Sequence, residues 1–210
     1  MIVHKSYLDP SLKSIWKIYL LLELCDLVKL RWKSLVSLNL FFFGCLLIAV
    51  VFAGYELQTP VALDWHPSIL GDLSGTGWIG MVFGIFVFNL IIGGFLAATL
   101  SGILFFPLPI GFLAYHAFSL GLTLWALPSS VFWPTMVAFF IEGEAYVFGA
   151  LGGVLVGMSW TMANWIYNRE QISRTAAIRK SMRELAYFYL VAVVLLLGAA
   201  TIEALTFFLG

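Results

Sequence analysis

Charge is what this chain has least of. Only 10% of its 210 residues are charged, and no Lys or Arg occurs from position 34 through 168 or after 183. A soluble domain covers itself with charged side chains, and one of this length could not hide a 62% hydrophobic composition in a single core. Cysteine is nearly absent too. Cys25 and Cys45 stand alone, which excludes a disulfide framework and a Cys-based zinc site. Three histidines occur, none in HExxH, and there is no GxSxG, no P-loop and no Ser or Cys poised beside a His. No enzymatic activity, cofactor, metal site or nucleic-acid partner is therefore expected.

What the chain does have is long apolar runs, with a mean hydropathy of +1.00. A bilayer needs about 20 apolar residues per spanning helix. Five runs meet that length, at about 35–54, 78–104, 108–127, 131–158 and 186–208. The fold class expected is all-α, a polytopic transmembrane bundle. About 34 residues precede the first run, too many for the charged region of a cleavable signal peptide.

The eleven basic residues fall into two blocks, one ending at Lys33 and one running from Arg169 to Arg183. Basic residues collect on the cytoplasmic side, so an even number of crossings separates the blocks, and four fit. The N-terminus is then cytoplasmic and the C-terminus external. The 55–77 loop would be external, and it carries Glu56, Asp64 and Asp72 but no Lys or Arg. The FFPLPIG stretch within 105–111 leaves two readings, a tight turn or a re-entrant break.

Residues 1–34 form a cytoplasmic segment. Asp9-Pro10 is a helix-start signal, and the following segment to Lys33 is too charged to span. It reads as an amphipathic helix lying on the membrane surface, as a helix packed against the basic 159–185 loop, or as both at once. That loop is expected to be partly helical, with a basic face.

Small residues mark the packing faces. Ala145, Gly149, Gly153 and Gly157 recur every fourth position and form one slowly drifting stripe at ~100° per residue, a pattern that lets a neighbouring helix approach closely. Gly80 and Gly84, then Gly94, Ala98 and Gly102, repeat the device in the second span.

Within the apolar runs, Asn89, His116, Glu142, Glu144 and Glu203 are the candidate site residues. At ~1.5 Å per residue Asn89, His116 and Glu142 share one layer near the middle of a ~30 Å core. Angular position separates the two neighbouring glutamates. Glu142 lies on the small-residue stripe, whereas Glu144 points the opposite way, toward another helix, a water-filled cavity or, least favourably, lipid. Glu203 shares a side with Ala192 and Ala199 and faces a neighbouring helix. Such a layer is either a set of interhelical hydrogen bonds or a site for a cation, a proton or a polar headgroup.

These residues resemble a pattern in the stage II sporulation protein M family. Asn89 in FVFNLIIGG, Gly102, then Glu142, Ala145 and Gly153 in EGEAYVFGALGG match it, and Glu203 in GAATIEAL matches its closing helix. The similarity spans roughly residues 30 to 208. His116 and Ala117 stand where the family tends to have Asn-Gly, and Ala138 to Ile141 replace a His-Gly expected ahead of the glutamate. The resemblance implies a non-catalytic scaffold or assembly subunit of a larger envelope complex, with other membrane proteins or a second copy as partners in addition to the lipid bilayer. The alternative is a small transporter or permease subunit using Asn89, His116 and Glu142 at its midplane.

Overall fold

The computed structural model describes residues 10–56, 77–167 and 172–209, and the side chains of 21–56, 77–167 and 172–207. The described residues are helical, with no strand. Five helices are long and apolar enough to cross a membrane: α1 (Pro10–Glu56), α2 (Gly77–Leu104), α3 (Leu108–Ala126), α4 (Ser129–Thr161) and α5 (Arg174–Leu209). A single turn, Ala163–Ile166, lies between α4 and α5. Asp9, Asp64, Asp72 and Arg169, which entered the cap and loop expectations, lie outside the described residues.

Helix α4 is the axis of the bundle. In its most apolar window 72% of residues are buried, against 22 to 39% in the other four spans. Its small residues explain how one helix touches all the others. A Cβ placed on Gly153 would lie 2.5 Å from the Thr99 carbonyl oxygen of α2, and one on Gly102 would lie 2.7 Å from the Gly153 carbonyl carbon. Gly157 meets the Gly102 carbonyl in the same way, and Gly149 faces the Thr99 hydroxyl. Backbone therefore meets backbone, as packing between small-residue faces allows. Two further glycines of α4 receive bulky side chains instead. The Phe42 ring of α1 seats on Gly143, and Leu185 of α5 seats on Gly152.

Helix α2 contains a π-helical section, Asn89–Leu100, which the α-helical spacing in the sequence did not anticipate. The Thr99 hydroxyl donates to the Gly94 carbonyl five residues back at 2.8 Å, and the Gly149 carbonyl of α4 lies 3.2 Å away. A side chain therefore binds the widened turn to the neighbouring helix. Gly94, Ala98 and Gly102 are buried in this part of α2. Gly80 and Gly84, expected as a packing face, are only half-buried. The buried positions there are Met81 and Ile85, which pack on Ala200 and Ala204 of α5, so the small residues of that contact come from the partner helix.

The prolines of FFPLPIG mark a tight turn, with Phe105 extended and Leu108 N donating to Phe105 O at 3.0 Å. Pro107 caps α3 and Pro109 lies in its first turn, where no backbone donor is missed. Helices α1 and α3 run side by side in the same direction. Phe42 meets His116, Leu46 and Ala49 meet Gly121, and Gly54 meets Trp125.

The charged segment before the first span is not a separate surface helix. Helix α1 is continuous over 47 residues, or ~70 Å at 1.5 Å per residue, more than twice a ~30 Å core. Its basic half is fastened to α5, where Glu23 accepts hydrogen bonds from Arg183 and Tyr187 and Arg31 pairs with Glu184. Of the two sequence readings of this segment, this is the packed one.

The glycine contacts make a direct test. Gly153→Val is expected to destabilise the solubilised protein by about 1–3 kcal/mol or prevent folding, because neither helix backbone can move aside locally. Gly198→Ala, with nothing within 4 Å of its added carbon, is expected to be neutral. Thermal midpoints in detergent check both.

Candidate functional site

The small-residue stripe that brings α4 against α2 also carries Glu142 into the interior, where it is 5% exposed. One turn on, the Tyr146 hydroxyl donates to Glu142 Oε1 at 2.7 Å. From α3, His116 Nε2 approaches the same oxygen at 3.4 Å, an ion-pair distance when the ring is protonated. The imidazole is fixed by aromatic neighbours. Phe112 stacks on it with centroids 5.5 Å apart, and Tyr146 meets it edge-on at 4.6 Å. Phe42 of α1 lies against it at 6.5 Å.

Tyr146 depends on a glycine across the interface. A Cβ on Gly93 would lie 2.5 Å from its hydroxyl oxygen, so the π-helical section of α2 leaves the space that the phenol fills. Glu203 of α5 interacts electrostatically with both Glu142 and Tyr146, so a second carboxylate lies within electrostatic range of the cluster. A carboxylate, an imidazole, a phenol and a second carboxylate thus converge from three helices. Chemically, such a group can hold a proton or simply bind the helices together. Among the described residues no three His, Cys, Asp or Glu side chains form a metal-ion site.

The sequence-predicted layer is only partly assembled. His116, Glu142 and Glu203 come together. Asn89 is half-buried at the start of the π-helical section, and no side-chain hydrogen bond joins it to another described residue. Glu144 points away from Glu142 and meets a helix rather than lipid, with the Asn39 side chain of α1 as its hydrogen-bond partner. Sequence reasoning missed Asn39 and Tyr146. Asn39 is the lone amide in the apolar run SLNLFFF, and Tyr146 stands four residues after Glu142, the spacing at which helix side chains meet.

A second polar constellation lies at the basic end of the bundle, outside the spans. Arg31 Nε and Nη2 donate to the two oxygens of Glu184 at 2.9 and 3.1 Å. The Tyr167 hydroxyl donates to Glu184 Oε1 at 3.2 Å and lies 2.9 Å from the Ser181 hydroxyl. Arg31 and Lys180 both sit over the Tyr167 ring, at 5.3 and 4.6 Å. Burial, with the Glu184 carboxylate adding to it, pushes the Tyr167 hydroxyl up to about 12 against the Ser181 hydrogen bond.

Comparison with family models, with curated proteins and with solved structures finds no match. The functional reading therefore stands on this geometry.

Two measurements follow from it. For the membrane cluster, a double-mutant cycle of His116→Phe with Glu142→Gln, which crosses from α3 to α4, is expected to show coupling of about 0.6 kcal/mol and no more than about 1.7, the size of interhelical polar contacts in bilayers; additive effects would mean that the pair does not interact. For the basic end, the folded-state value of Tyr167 lies above its ordinary value of 10.0. Its contribution is thus complete below pH 10 and lost as pH rises toward about 12. The stability difference between wild type and Tyr167→Phe should shrink across that window in an alkaline titration.

Proposed function

We propose that this chain is a non-catalytic integral membrane scaffold or assembly subunit of a larger envelope or membrane complex, similar to the stage II sporulation protein M family. In this reading it sits in a prokaryotic plasma membrane with its N-terminus cytoplasmic and its C-terminus external, following the placement of its basic residues. The observation that carries the proposal is the internal pairing of the central polar cluster. Glu142 and His116 have side chains 7% and 12% exposed, and the carboxylate is engaged by groups of the protein itself. A solute site needs such groups turned toward a path from water. Here the approach of His116 to Glu142 joins α3 to α4 at ion-pair distance, with Glu203 of α5 in electrostatic range, as interhelical polar contacts do in rigid bundles.

A second reading has one observation in its favour. Glu203 brings a second carboxylate within electrostatic range of Glu142, and paired intramembrane carboxylates also occur in proton-coupled carriers. In a small transporter or permease subunit this pair, with His116, would form the midplane site.

Purification from native membranes separates the two. A scaffold is expected to co-purify with stoichiometric membrane or envelope proteins, and Glu142→Gln should change only its thermal stability. If the chain purified alone and, in proteoliposomes, supported a flux that Glu142→Gln abolished without unfolding it, the scaffold reading would be wrong.

A further inference from the structure

At the basic end of the bundle a cavity of about 430 Å³ opens between α1 and the last turns of α4, within the size range of small-molecule sites. Its two walls differ in chemistry. Arg31, Lys33, Ser34 and Ser37 line it from α1, and apolar side chains including Leu155 line it from α4, with Trp165 at its edge. We infer that this cavity is a binding site for an anionic phospholipid, its phosphate held by the α1 donors and the start of an acyl chain lying along the apolar wall of α4.

The hydroxyls are the first indication. Elsewhere in the spans Ser101, Ser119, Thr123, Ser159, Thr201 and Thr206 each donate to a backbone carbonyl three or four residues earlier. Helix hydroxyls in lipid normally do so, because no other acceptor is at hand. Ser34 and Ser37 make no such bond among the described residues; both are exposed on α1, with their hydroxyls open to a ligand. Two donors without acceptors on one face of α1 suit the oxygens of a phosphate.

The charges are the second. Arg31 uses Nε and Nη2 on Glu184, which fixes the plane of its guanidinium and leaves Nη1 without a hydrogen bond to a described residue. Lys33 has no carboxylate partner among the described residues, and its Nζ lies 5.9 Å from the Trp32 ring. Nearby Arg183 is engaged by Glu23 and Lys180 rests over Tyr167. Arg31 is paired with Glu184, so Lys33 is the positive charge of the cavity wall without a carboxylate partner among the described residues.

Depth is the third. Trp32, Trp160 and Trp165 are all exposed at this end, and exposed tryptophans of membrane proteins sit at headgroup level. A ligand here has its polar part among headgroups and its apolar part in hydrocarbon. Free phosphate would use only one wall, whereas a phospholipid uses both. The inference holds whether the midplane cluster serves a scaffold or a carrier.

Native mass spectrometry of the full chain released from nanodiscs of equal phosphatidylglycerol and phosphatidylcholine content tests it. Wild type is expected to retain one phosphatidylglycerol in preference to phosphatidylcholine. Lys33→Gln combined with Ser37→Ala should weaken that retention by roughly fivefold or more, the effect of one basic group at an anionic surface. Lys29→Gln, which alters an exposed lysine paired with Asp26 outside the cavity, should leave it unchanged. Leu155→Trp, filling the apolar wall, should reduce it as well. Equal retention of the two lipids by wild type would overturn the assignment, and that comparison needs no variant. So would an equal loss with Lys29→Gln, which would mean general surface electrostatics, or complete displacement by millimolar inorganic phosphate, which would mean an anion site with no role for the acyl chain.

Discussion

The approach of α2 to α4 is the constraint on which the rest of the bundle depends. In hydrocarbon the lipid tails are as apolar as any leucine, so helices associate through close packing and polar contacts rather than through burial from water. Gly149, Gly153 and Gly157 remove the side chains that would hold α2 away, and Gly102 does the same from the other side. Once the backbones touch, the Thr99 hydroxyl reaches both its own helix and α4. With one face of α4 taken by α2, its remaining faces receive Phe42 of α1 and Leu185 of α5 at Gly143 and Gly152. A helix surrounded in this way becomes the most buried of the five.

Burial of α4 is also what makes Glu142 significant. A carboxylate among apolar side chains is costly unless polar groups surround it. Tyr146 comes from the same helix at the spacing that permits contact, and His116 is aimed by its stacking on Phe112. The phenol fits because Gly93 lies opposite it, in the section of α2 that is wound as a π-helix. Such sections are uncommon and concentrate at functional sites. Here its local role is to admit one aromatic ring and to present Thr99 to α4.

At the other polar centre the logic is that of a buried ion pair. Glu184 is 5% exposed, and losing Arg31 would leave its charge uncompensated, a change far more costly than the pair is favourable. Tyr167 and Ser181 complete its shell, so the first turns of α5, the chain after α4 and the basic half of α1 are fastened at one point. This is why α1 runs on as a continuous helix into a packed segment. Glu23 and Arg31, at different places along α1, find their partners in the adjacent Arg183 and Glu184.

Much of this architecture was legible before any coordinate. Five spans follow from the length of apolar runs, and the opposed directions of Glu142 and Glu144 follow from helical periodicity, because both properties belong to the chain locally. The stripe Ala145, Gly149, Gly153 and Gly157 was visible for the same reason. Its partner was not, since Gly80, Gly84, Gly94 and Gly102 look alike in sequence and only packing separates the buried ones from the half-buried ones. The shared depth of Asn89, His116 and Glu142 suggested one layer, but depth leaves rotation about each helix axis undetermined, and Asn89 lies outside the cluster. The π-helical winding of Asn89–Leu100, the pairing of Asn39 with Glu144 and the meeting of Arg31 with Glu184 depend on residues far apart in the chain. They were decided when α4 drew its neighbours together, because only then did each polar group have a partner within reach.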